Sequence, residues 1–101
     1  MFIVAKDRKS IVNTNHITSI YMGADGCTIK ADFENGKGCQ IARYDAEKLS
    51  KIAMDIIANN IDRNSTLCYM PDDKSIKAKI NLEEQKYHHI TGKKTKGRGG
   101  S

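Results

Sequence analysis

The amino-acid sequence predicts an α+β domain, an antiparallel β-sheet of about four to six strands packed against one amphipathic α-helix. Three observations predict it. Residues 27–33 alternate apolar and polar side chains, the signature of a strand with one buried and one wet face. Leu49, Ile52, Ala53, Ile56 and Ile57 recur at three-and-four spacing, the signature of a helix with one apolar stripe. Short runs rich in β-branched residues, separated by turn residues, stand on both sides of that helix. A sheet of this size needs such a cover to be stable.

Phe2-Ile3-Val4 opens a short strand, and Asp7 to Ser10 breaks it. Ile11-Val12 starts a second apolar piece, with Asn13, Thr14 and Asn15 as turn or bulge residues. His16 to Met22 reads as strand, and the turn Gly23 to Gly26 leads to a strand over 27–33. In that strand Cys27, Ile29, Ala31 and Phe33 share the buried face. Asn35-Gly36 then closes a hairpin onto a strand over 37–44.

A two-residue loop would set Cys39 opposite Asp32 and drive both Cys39 and Ile41 into water. A three-residue loop, Glu34-Asn35-Gly36, pairs Phe33 with Lys37, Ala31 with Cys39, Ile29 with Ile41 and Cys27 with Arg43. Burial selects the second register, with Gly36 supplying the positive φ.

Asp45 is placed to cap a helix that begins at Ala46 and ends near Asn59-Asn60. Leu67 to Met70 reads as a short buried strand stopped by Pro71. Asp72-Asp73-Lys74 reads as a turn, and Ser75 to Ile80 as a half-exposed strand. Asn81 and Glu84 have the spacing of a capping box, so a short helix is expected from Leu82 to about His89. Residues 1–91 are read as a single domain and 92–101 as a disordered basic tail.

The stretch from Met1 to Met22 (MFIVAKDRKSIVNTNHITSIYM), the stretch CQIARYDAEKLSKIAMDII and then LCYMP together resemble small uncharacterised proteins of Gram-positive bacteria and their phages and mobile elements. The resemblance covers residues 1–71. It implies a small accessory protein and supplies no site residue.

The net charge is +5, but its placement matters more than its size. Lys93, Lys94, Lys96 and Arg98 lie in a terminal stretch without an acidic residue; the rest holds thirteen basic against twelve acidic residues. No apolar run is long enough to cross a bilayer, and the N-terminus does not read as a secretory signal, so a cytoplasmic protein without membrane contact is expected.

Catalytic and metal-ligating patterns are weak. Cys27, Cys39 and Cys68 have no C-x-x-C spacing and sit in strand contexts, as small buried hydrophobes do. His88-His89 are adjacent, a poor geometry for ligating one ion from a helix, and His16 is distant in sequence. Asp72-Asp73 follows Pro71 and reads as turn material before it reads as a cation site. Gly36-Lys37-Gly38 joins two strands, whereas a phosphate cradle enters a helix. No cofactor and no metal are expected, and no enzyme.

Two functions stay compatible with these residues. The first is a non-enzymatic protein-binding module, an inhibitor or accessory factor whose partner is another protein or a second copy. Ile17, Ile20, Tyr21 and Met22 are apolar on both faces of one strand and are the candidate contact residues. The second is nucleic-acid binding through the tail cations Lys93, Lys94, Lys96 and Arg98, which can neutralise phosphates without reading sequence. Mixed charge along residues 1–91 favours the first.

Overall fold

The computed structural model describes residues 1–82. Its strands are β1 (Phe2–Val4), β2 (Ile11–Asn13), β3 (Ile17–Met22), β4 (Thr28–Phe33), β5 (Gly38–Arg43) and β6 (Leu67–Tyr69). Helix α1 spans Glu47–Asp62, and a second helix, α2, covers residues 73–82 of the described chain. The architecture is α+β with six strands, as expected. They form two three-stranded sheets, in the orders β2-β1-β6 and β3-β4-β5.

Strand β1 is central to the first sheet. It pairs antiparallel with β2 and parallel with β6, so this sheet is mixed. On the β6 side, Phe2 N–H donates to the Thr66 carbonyl and Met70 N–H to the Val4 carbonyl. Two residues beyond, Lys6 N–H donates to the Ile41 carbonyl of β5 at 2.9 Å. That bond stitches the two sheets together along one edge. The 3₁₀ turn Thr14–His16 joins them on the other side by carrying β2 into β3. The core lies between the sheets and the helices, built on Ile3, Ile29, Ile41, Ala53, Met70 and Ile76.

The hairpin carries the predicted loop. Phe33 N–H donates to Lys37 O at 2.8 Å, Gly36 has φ +83°, and Ala31 pairs with Cys39. Further along, the expected register gives way. A β-bulge near Ile29 and Lys30 places Ile29 opposite Ala42 and Thr28, not Cys27, opposite Arg43. The reason is packing: Ile41 and Ala42 are consecutive yet both buried, which a regular strand forbids and a bulge allows. Cys27 is consequently only half-buried, while Thr28 is buried.

Helix α1 buries Leu49, Ala53 and Ile57 of the predicted stripe, together with Ser50, while Ile52 and Ile56 are partly buried against the same core. Its N-cap is Ala46, with no side-chain cap bond, rather than Asp45. The Asp45 backbone N–H is instead held by Asp73 Oδ2 at 2.9 Å. The helix runs past Asn60 because the left-handed residue comes later: Asn64 has φ +56°. Asn64 N–H bonds Ile61 O, and Ser65 N–H bonds Asn60 O, the paired bonds of a Schellman C-terminus.

Residues 75–80 are helical, not a strand. Asp72 Oδ1 accepts the Ser75 N–H at 2.7 Å and so caps α2 immediately after Pro71. Ile76 is fully buried, and Ile80, four residues on, packs on the same core. Asn81 lies inside this helix rather than capping a new one. The expected helix end near His89, the tail 92–101 and the pair His88-His89 lie outside the described residues.

Candidate functional site

The four strand residues singled out in the sequence divide between two faces. Ile17, Ile20 and Met22 sit opposite Phe33, Ala31 and Ile29, so they point inward and are half-buried. A bulge between Ile17 and Ser19 keeps both isoleucines inward although they are three positions apart. Tyr21 points outward, 39% exposed, and its hydroxyl donates to Asp32 Oδ1 at 3.1 Å. That bond, with burial and the nearby negative charge adding to it, raises the phenol's pKa above its ordinary value. Its outward neighbours in the ladder are Lys30 and then Gln40, so Tyr21 stands among polar groups.

Beside β3 runs a groove of about 350 Å³ between this strand and α1, lined by Ile17, Ile20, Met54, Ile57, Ala58 and Ile61 among others. Strand β3 ends its sheet. Gly23 N–H bonds Thr28 O at 2.7 Å. In an antiparallel ladder the bonded pairs alternate, so the main-chain groups of Tyr21 and Ser19 face β4. Those of Ile20 and Met22 face away from it, toward the open edge.

A larger apolar surface lies on the other sheet, and the sequence reading did not single it out. The ladder places Val4 between Ile11 and Tyr69, and Phe2 between Asn13 and Leu67. Opposed residues share a face, so these six side chains lie on the outer side of β2-β1-β6, where Val4 at the centre is itself buried. Ile3, Val12 and Cys68 take the inner one. Phe2 is 48% exposed, Ile11 64%, Leu67 43% and Tyr69 57%. Together they present on the order of 400 Å² of apolar surface, a size that commonly marks an interaction site on a monomer. The Arg8 guanidinium lies 5.0 Å over the Tyr69 ring and sets a cation at one end. Strands of three residues are too short to display a period, and all three are apolar throughout or nearly so. The signal that could have found this face is that continuity in a sheet able to bury only one side.

The polar groups with unusual surroundings hold the frame. The Lys6 ammonium meets the Asp73 carboxylate, donates to the Arg43 carbonyl and lies 4.4 Å over the Tyr44 ring. Asp73 works against its partial burial: the bonds from Lys6 and from Asp45 N–H bring its carboxyl below the usual range. The Tyr44 hydroxyl donates to Pro71 O at 2.7 Å, and its burial, with Asp73 and Asp72 nearby, pushes its pKa far up. The pair Asp72-Asp73 therefore serves as helix cap and ion-pair acceptor. His16 Nδ1 lies 2.8 Å from Glu34 Oε1 on the surface. Burial raises the thiol pKa of both Cys39 and Cys68, which disfavours the thiolate.

Among the described residues, no group of three or more His, Cys, Asp or Glu side chains is placed to hold a metal ion, and no helix is long and apolar enough to cross a membrane. Lys93, Lys94, Lys96 and Arg98 lie outside the described residues. No family model matches the chain, and neither a curated protein nor a solved structure with significant similarity is found.

Proposed function

We propose that this chain is a small non-enzymatic protein-binding module that docks a partner on the outer face of β2-β1-β6. The observation that carries the reading is the exposure of Phe2, Ile11, Leu67 and Tyr69 on one side of a single sheet. Leaving four such side chains in water forgoes the free energy of burying them, which a complex recovers. Tyr69, with Arg8 stacked on it, supplies the tyrosine and arginine side chains in which binding hot spots are enriched. The role of an inhibitor or accessory factor encoded by a phage or mobile element belongs to the same proposal.

The test is affinity capture from host lysate with the intact chain and with the double variant Leu67→Ser, Tyr69→Ser. A partner recovered by the intact chain and lost with the variant supports the reading. Identical recoveries by the two proteins overturn it.

A second reading, nucleic-acid binding, is favoured by one observation. Lys30, Gln40 and Arg43 line a single shallow groove, with Asp25 as its one acidic wall, and the tail adds four cations. A gel shift at physiological salt, comparing the full chain with one ending at Ile90, tests the tail's part in it.

A further inference from the structure

We infer that β3 is a self-association seam, pairing antiparallel with β3 of a second copy about a two-fold axis through Tyr21. The inference stands on a different surface from the docking face of the proposed function. Among the described residues no strand pairs with the outer edge of β3. That edge offers the main-chain groups of Ile20 and Met22, whereas Tyr21 and Ser19 spend theirs on β4.

The position of the open groups fixes the register. Pairing Ile20 with Met22 of the other copy, twice about the axis, matches open groups to open groups. Centring on Ile20 instead would bring Met22 against the bulge at Thr18, where the ladder is broken. In the chosen register Tyr21 meets its own mate at the non-hydrogen-bonded position, where side chains come closest and aromatic pairs stabilise. On the inner side Ile20 meets Met22, and the groove walls Met54 and Ile61 gain cover from the facing copy.

Charge selects a second copy as the occupant. Natural edge strands are commonly guarded by lysine or another charge, and β3 carries none from Ile17 to Met22. Two such strands meet without like-charge repulsion, while a charged partner strand finds no counter-ion on this edge. A ladder this short buries roughly 500 Å² per copy, below the about 800 Å² of a standard interface, so the dimer is reversible, with dissociation in the micromolar range or weaker.

The experiment is sedimentation velocity on the full chain from about 1 µM to about 500 µM, a range that brackets such a dissociation constant. It is paired with amide hydrogen exchange at both ends of the range. The expected result is a concentration-dependent dimer in which the Ile20 and Met22 amides slow as concentration rises, while the already bonded Ser19 and Tyr21 amides change little. Tyr21→Lys, which sets like charges on the axis, should raise the dissociation constant at least tenfold. Tyr69→Lys, on the other sheet, should leave it unchanged even where it abolishes partner capture.

A monomer throughout the range overturns the inference. So does protection of Ile20 and Met22 that is independent of concentration, which would assign the edge to another segment of the same chain. So does a dimer that survives Tyr21→Lys but is lost with Tyr69→Lys. The exchange measurement uses the unmodified chain and reads the seam even if a variant fails to fold.

Discussion

Lys6 and Asp73 form a partly buried ion pair that ties the segment after β1 to the first turn of α2, with side chains only 22% and 19% exposed. The same ammonium lies over Tyr44 and bonds the Arg43 carbonyl, so one side chain joins three parts of the fold. Replacing it by an apolar residue strands the carboxylate. Lys6→Met is expected to destabilise the domain by about 1–3 kcal/mol, the range for a lost charged hydrogen bond with a partner left behind. Urea unfolding of Lys6→Met, Asp73→Asn and the double variant measures the coupling. Losses that simply add would show that the pair contributes nothing of its own.

Three of the carboxylates that hold backbone N–H groups have lowered pKa values and give the stability a defined acid limit. Asp25 accepts from Cys27 N–H and Thr28 N–H, which brings its pKa below the ordinary 3.8. The Ser75 N–H does the same for Asp72. Asp73, despite partial burial, is lowered by Lys6. A carboxyl whose pKa is depressed on folding stabilises the native state above its unfolded value and loses that contribution as pH falls through the folded one. The melting temperature is therefore expected to be insensitive to these groups near neutrality and to fall below about pH 4. Asp25→Asn keeps the turn's acceptor but cannot ionise, so it should flatten the profile in that range.

The cap on α2 is separable from its charge. Asp72→Ala should lower the melting temperature by roughly 5 °C, whereas Asp72→Asn should restore most of it, because asparagine accepts the same Ser75 N–H. Equal losses for the two variants would mean that charge at the helix start, not the cap bond, matters.

Two glycines of the hairpin should fail for different reasons. Gly36 has φ +83° and open space where a Cβ would stand, so Gly36→Ala costs only the left-handed backbone, about 1 kcal/mol. At Gly38 a Cβ would meet Asp32 Oδ1 at 2.7 Å and Ala31 O at 3.3 Å. Gly38→Ala should displace the Asp32 carboxylate and break its bond to Tyr21. Its fingerprint is a Tyr21 phenol titrating closer to its ordinary value, which Gly36→Ala should not produce. A spectroscopic tyrosine titration of both variants separates the two effects.

Much of the frame was legible in the sequence because local rules and burial agreed. The loop Glu34-Asn35-Gly36 followed from the faces of Ala31 and Cys39, and the α1 stripe followed from its spacing. Where the reading failed, two rules fitted the same residues. Ile76, Ala78 and Ile80 satisfy a period of two, while Ile76 and Ile80 alone satisfy a helix; the Asp72 cap decides for the helix. Asp45 has the right chemistry for a cap, but Asp73 holds its backbone N–H. The Ile41 bulge was hidden because neighbouring buried residues look irregular under any period. The candidate residues Ile17, Ile20, Tyr21 and Met22 were visible as apolar on both faces. Which of the two sheets would leave its outer side bare depends on how the strands divide, and that is a tertiary fact.

The central position of β1 has a consequence for how the chain is made. Its neighbours are an early strand on one side and the last described strand on the other. During synthesis β1 must therefore wait, with only one flank zipped, until the chain through Tyr69 has left the ribosome. Closure of this sheet is a late, long-range event, and Phe2, Ile3 and Val4 are the residues a chaperone would meet in the meantime.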